Sequence, residues 1–121
     1  MGIGIDLVET SRVRRSLERW GDRLVAKLMD EDEARQLPPS ADERPQAVAA
    51  AIALKEAASK ALGTGWSHGV RWRDVVAFRD APRVELRARA AEVARARGAQ
   101  ESTARLEIRG DLVIAEVWLR R

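Results

Sequence analysis

The sequence contains no cysteine and a single histidine. The first absence excludes a disulfide framework and any thiolate metal site. The second leaves His68 as the sole imidazole, in a glycine-bounded loop after Trp66, where a lone histidine is ordinarily exposed and inert. No apolar run approaches the roughly 20 residues of a membrane span, so no membrane association is expected. No secretory leader is read, because Met1 leads almost at once into a strand-like segment. Helix-turn-helix, zinc and aromatic-platform motifs are also missing, which argues against a nucleic-acid partner. The expectation from these absences is a cytoplasmic protein.

What is present describes one globular domain: 121 residues, 45% hydrophobic and 34% charged. A net charge of +3 and a pI near 10.1 come from many arginines partly offset by acids. That balance favours an anionic partner, such as a nucleotide-like cofactor or an acidic protein. A GC-rich genome also enriches arginine, so the charge alone assigns nothing.

Residues 2–8 alternate as a strand, with Ile3, Ile5 and Leu7 on one side and Gly4, Asp6 and Val8 on the other. A carboxylate inside a strand is costly unless paired or metal-bound. Ser11 is the expected N-cap of a helix reaching Trp20, with Val13 and Leu17 inward. Gly21 interrupts it, and Asp22 restarts a turn carrying Leu24, Val25 and Leu28. Asp30 with Glu33 predicts an acidic capping box on a short helix that stops at Pro38-Pro39.

From Glu43 to Leu62 an alanine-rich segment is the strongest helix, with Pro45 tolerated in its first turn and Gly63 as its C-cap. Apolar residues all round it imply a central, buried helix. Beyond the Trp66–Gly69 loop, the patterns predict a strand over Val70–Phe78, a turn at Asp80-Ala81-Pro82 and a partner strand at Val84–Leu86. A helix over Arg87–Arg97 follows, then a hairpin of Arg105–Ile108 and Val113–Leu119 across Gly110-Asp111. The fold class is α+β, a small antiparallel sheet wrapped on a long central helix. Trp20, Trp72 and Trp118 are expected in the core or an interface, and Trp66 packs likewise or covers a ligand arm.

Three charged residues interrupt the central helix. Glu56 and Lys60 stand one turn apart on one face, with Lys55 about 100° around. Such spacing fits either a surface salt bridge or a functional cluster.

Two motifs carry a resemblance. Gly2-Ile-Gly-Ile-Asp6-Leu-Val-Glu9, followed by Leu54-Lys55-Glu56-Ala-Ala-Ser-Lys60-Ala-Leu-Gly63-Thr64-Gly65, resembles the holo-acyl-carrier-protein synthase family of 4′-phosphopantetheinyl transferases. The resemblance implies a homotrimer with interfacial sites, transferring phosphopantetheine from coenzyme A to a serine of an acyl carrier protein and releasing adenosine 3′,5′-bisphosphate. It implies that Asp6 and Glu56 hold Mg²⁺, and that Lys60, with Glu56, serves catalysis near the attacked phosphate. Lys55, Lys60, Gly63, Thr64, Gly65, Arg109 and Asp111 become candidate coenzyme A contacts. Arg12, Arg15 and Arg19, which share a helical face, become candidate carrier contacts; a merely solvated basic face is the alternative. The ligand chemistry is apt, since Mg²⁺ takes one or two carboxylates plus substrate phosphates.

The chain departs from the family pattern in three places. Ala51 stands where an arginine is expected, Asp80-Ala81-Pro82 replaces Gly-Lys/Arg-Pro, and Arg109-Gly110-Asp111 replaces a Ser-His-Asp stretch. In the family these positions help to grip coenzyme A. Arg109 is a candidate replacement for a lost phosphate contact. The departures leave two alternatives: a homologue acting on the acyl cargo of a carrier, or a non-catalytic carrier-binding module.

Overall fold

The computed structural model describes residues 2–121. Strand β1 (Gly2–Glu9) runs straight into helix α1 (Thr10–Trp20), followed by α2 (Asp22–Leu28), α3 (Glu31–Arg35) and the long α4 (Arg44–Leu62). A 3₁₀ turn at Trp72–Asp74 leads to β2 (Val75–Phe78) and β3 (Arg83–Leu86), then α5 (Ala88–Ala96), β4 (Glu101–Arg109) and β5 (Leu112–Arg120).

Helix α4 is the organising element, as its composition predicts. Alanines at 49, 53, 57 and 58 are fully buried, and their small side chains let neighbouring backbones approach closely. An antiparallel sheet of order β1-β5-β4 lies on it, and β2 pairs with β3 in a separate antiparallel ribbon. The inward residues of β5, Val113, Ala115, Val117 and Leu119, complete the core. The α+β architecture of a small sheet on a central helix is therefore as the sequence implies.

The side of β1 that faces α4 is the glycine side. A methyl group at Gly4 would overlap the Ala57 carbonyl oxygen and lie 2.7 Å from its carbon, and one at Gly2 would overlap the Ala61 carbonyl. The strand thus runs against the helix backbone, and Asp6, next on the same side, follows it. Ile3, Ile5 and Leu7 point away, 50 to 60% exposed.

Several boundaries differ from expectation. Val70–Phe78 is not one strand, because the Asp74 carboxylate accepts the Arg71 amide at 3.0 Å and curls residues 71–74 into a turn. Ser11 is not the N-cap: α1 already begins at Thr10, and Ser11 lies in its first turn. The final hairpin is longer than predicted, with β4 starting at Glu101. Trp20 is 47% exposed and belongs to no core, its ring lying 5.0 Å from the Arg19 guanidinium. Trp66 stacks on Trp72 with ring centroids 4.0 Å apart, and both pack on the core. The Asp30–Glu33 capping box forms as predicted.

Candidate active site

Strand β1 and helix α4 bring Asp6 and Lys60 to one crossing, on the helix flank that also carries Glu56. The Lys60 ammonium donates to Asp6 Oδ1 at 2.8 Å and to the Ile5 carbonyl at 3.1 Å. Asp6 is only 18% exposed, held in its strand by antiparallel pairing with Ala115, whereas Lys60 is half exposed. Glu56 stands one turn before Lys60 on the same flank. It is half-buried, and no hydrogen bond or ion pair holds its carboxylate among the described residues. Its backbone is fixed: the Ser59 hydroxyl donates to the Glu56 carbonyl at 2.8 Å.

Chemically, this trio carries one net negative charge with two carboxylate groups, a half-open hard-oxygen set. Among the described residues there is no cluster of three or more metal-ligating side chains. The two carboxylates fit a cation that takes few protein ligands and keeps positions for water or phosphate, which is the habit of Mg²⁺. Adding a divalent ion would turn the site positive, as a diphosphate requires.

Lys55 goes elsewhere, and its expected cofactor contact is corrected. Its side chain is fully buried, donating to Glu33 Oε1 at 2.9 Å, to the Trp72 carbonyl at 3.1 Å and to the Val75 carbonyl. Glu33 Oε2 in turn accepts the Ala77 amide at 3.0 Å. Burial lowers the Lys55 pKa below its ordinary 10.5, opposed by the attraction of Glu33. The physical reason for the displacement is the 100° offset from Glu56, which turns Lys55 into the interior. The pair ties α3, α4 and β2 together.

The loop that closes α4 divides its candidates. Gly63 adopts φ 82° at the C-cap, a left-handed conformation that glycine takes without strain, and stays exposed. Thr64 is buried, its hydroxyl donating to the Gly65 carbonyl at 2.9 Å, so it turns away from any ligand. A hollow of about 400 Å³ opens beside this turn, lined by Lys60, Gly63, Arg97, Ile3 and Leu119. Arg97, at the end of the helix expected over Arg87–Arg97, donates to the Leu62 carbonyl and places a second cation in that hollow.

Arg109 and Asp111 are not beside Lys60 within the chain. The register pairs Asp6 with Ala115 but Glu9 with Leu112, so the hairpin tip lies three strand residues away, roughly 10 Å. Arg109 is 73% exposed and pairs with Glu107 at 2.8 Å. Both Asp111 carboxylate oxygens are engaged with Ser11. The tip instead borders a hollow of about 630 Å³ with Thr10, Arg14, Glu43 and Arg79. Ala51 and Ala81, two of the departures, line an adjoining hollow of about 420 Å³ that Arg79 also enters. Arg79 was missed because no motif position marks it. Arg12, Arg15 and Arg19 are all exposed along α1. His68 is exposed, its Nδ1 2.8 Å from the Ser67 hydroxyl, with no place at the crossing.

The fold that mounts this trio has known counterparts. The chain belongs to the 4′-phosphopantetheinyl transferase superfamily, whose ACPS family model matches residues 2–116. Among curated relatives, the holo-[acyl-carrier-protein] synthase of Alkalilimnicola ehrlichii is 39% identical over 82% of this chain and 80% of its own length. That of Koribacter versatilis is 38% identical over 84% of this chain and 83% of its own length. The Solibacter usitatus synthase is 43% identical over 61% of this chain, and the match spans 58% of the relative's length. The fold matches the crystal structure of the Neisseria meningitidis synthase with a TM-score of 0.88, at 24% identity over 99% of this chain and 98% of that one.

Proposed function

We propose that the protein is a Mg²⁺-dependent transferase that moves 4′-phosphopantetheine from coenzyme A to a serine of an acyl carrier protein. The observation that carries this reading is the crossing of β1 and α4, where Lys60 meets Asp6 and Glu56 stands a turn away with no side-chain partner among the described residues. A Bacillus anthracis synthase solved with coenzyme A (3′,5′-ADP), 27% identical over 98% of this chain and 94% of that one with a TM-score of 0.74, supports the co-substrate.

Asp6 and Glu56 would hold the metal, which supplies charge neutralisation on the pyrophosphate when bound. Lys60, which reaches Asp6 in the free protein, would stabilise negative charge on the phosphoryl oxygens as the serine oxygen attacks the pantetheine-bearing phosphorus. The bond to the bridging oxygen breaks, adenosine 3′,5′-bisphosphate departs, and the serine proton leaves toward Glu56 or a water it holds. Positioning and charge supply most of the catalysis in such a displacement. Lys60, Gly63 and Gly65 would border the cofactor.

The remaining candidates make sense across subunits. Ile3, Ile5 and Leu7 form an exposed apolar row on β1, continued on the same face of the sheet by exposed Leu112. An exposed apolar surface of this kind marks an association face, and it supports a homotrimer. The hairpin tip with Arg109 would then serve the site of a neighbouring copy. The exposed arginines 12, 15 and 19 suit docking of an acidic carrier. An enzyme consuming coenzyme A belongs in the cytoplasm. No helix among the described residues is long and apolar enough to cross a membrane.

Intact-mass spectrometry of apo carrier protein incubated with coenzyme A and Mg²⁺ tests the reading. Addition of one phosphopantetheine is expected. No addition across a panel of carriers, with the protein folded, would instead favour a carrier-binding module.

A further inference from the structure

Helix α1 has no side-chain cap of its own. The position before it is Glu9, whose side chain makes no capping bond, and its first turn contains no acid. Its first amides would be orphaned at the surface. They are satisfied from a hundred residues away. Asp111 Oδ1 accepts the Ser11 amide at 2.9 Å, and Oδ2 accepts the Ser11 hydroxyl at 2.6 Å. The Asp111 carbonyl accepts the Thr10 amide at 2.8 Å.

The hairpin is built to deliver this residue. Pairing of Glu9 with Leu112 brings the start of β5 alongside the strand-to-helix junction, and pairing of Arg109 with Leu112 leaves Gly110-Asp111 as a two-residue tip. Gly110 takes φ 57° at the first tip position, as a tight hairpin requires. A carboxylate here also complements the positive end of the helix dipole. Beyond the junction, α1 is held chiefly by buried Val13 and half-buried Leu17, while Arg12, Arg15 and Arg19 face outward.

We propose that Asp111 is a positioning residue rather than a cofactor contact: from the hairpin tip it caps α1 and fixes the angle at which the arginine face meets the carrier protein. The assignment rests on the proposed function. It makes the β4–β5 tip and the carrier-docking helix one rigid unit, joined to the strand that bears Asp6.

The test compares wild-type protein with Asp111→Ala, Asp111→Asn and Ser11→Ala in steady-state transfer, varying carrier and coenzyme A separately. Losing a cap of this kind corresponds to about a five- to tenfold effect. Asp111→Ala should raise the KM for carrier by about that factor and leave the KM for coenzyme A within about twofold. Asp111→Asn, which keeps an acceptor for the Ser11 amide, should recover part of the loss, and Ser11→Ala should lose less than Asp111→Ala. Hydrogen exchange at the amides of residues 10–13 should accelerate by a similar factor in Asp111→Ala. A rise confined to the coenzyme A KM, or unchanged exchange in that turn, overturns the proposal. If wild-type protein transfers nothing, the functional reading fails by itself. Calorimetric affinity for carrier then decides this one, with the same five- to tenfold loss expected and an unchanged affinity against it.

Discussion

Replacing Gly4 by alanine should damage fold and site together, and the size of the effect can be worked from the strand–helix contact. The new methyl would overlap the Ala57 carbonyl oxygen and approach the Ala61 nitrogen to 2.9 Å. These are backbone atoms of a central helix whose alanines have no flexible ends to swing aside. Overpacking of a core typically costs about 1–3 kcal/mol, and a rigid neighbour puts this case at the upper end. The alanine also stiffens the unfolded chain, which returns about 0.4–1 kcal/mol. The net expectation is a loss of roughly 2–2.5 kcal/mol, a large share of the roughly 5–15 kcal/mol that holds a domain together. In a domain of this size that lowers Tm by about 10 °C. Because Asp6 follows Gly4 on the same side of β1, the retreat of the strand also carries its carboxylate away from Glu56, so Mg²⁺ affinity should weaken. Thermal unfolding with a parallel calorimetric Mg²⁺ titration reads both effects. Gly65→Ala is the control, since nothing lies within 4 Å of where its methyl would sit and only its φ of 55° is strained; about 1–2 kcal/mol is expected there. A Gly4→Ala protein within about 0.5 kcal/mol of wild type, with unchanged metal affinity, would refute the close-approach argument.

Lys55→Met should cost about 3–5 kcal/mol by stranding Glu33 in the core, and adding Glu33→Leu should recover part of it; full additivity in urea unfolding would deny the pair. The lowered Lys55 pKa means that, between its folded value and 10.5, the folded chain binds fewer protons than the unfolded one. This contribution to stability therefore rises with pH across that window, and Lys55→Met should lack the rise. Arg12→Glu/Arg15→Glu should weaken carrier binding by tenfold or more, on the order of 1.4 kcal/mol, with steep salt dependence in the wild type. Unchanged carrier affinity in calorimetry would move the docking surface elsewhere. Ile5→Asp should shift sedimentation from trimer to monomer, whereas a wild-type protein already monomeric would remove the apolar-face argument.

The parts of the fold that were legible in the sequence are those where one local rule dominates. Alanine content and Gly63 marked α4, and Asp30 with Glu33 marked the cap of α3. Asp6 stood out as a charge in an apolar strand, and Lys60 reaches it as the helical spacing allows. Elements set by distant partners were not legible. Ser11 has the chemistry of an N-cap, yet the capping group is Asp111, which no local pattern connects to it. Residues 70–74 have strand-forming side chains, but Asp74 bonds back to Arg71 and wins locally. Lys55 shares a motif with Glu56, and its 100° offset turns it inward, but no local pattern shows that Glu33, held against β2, is the partner waiting there. The side of β1 that meets the helix is hardest to infer, because the apolar isoleucines face outward and the glycines inward; alternating glycine beside an alanine-rich helix was the available signal.

The central claim is that Asp6 and Glu56 together form the metal end of a diphosphate site. Calorimetric titration of Mg²⁺ in the presence of coenzyme A, for wild type, Asp6→Asn and Glu56→Gln, tests it most directly. The account predicts saturable binding in the wild type and a loss of tenfold or more in affinity for each variant, equivalent to about 1.4 kcal/mol, with thermal unfolding little changed. Equal Mg²⁺ affinity in all three folded proteins would contradict it.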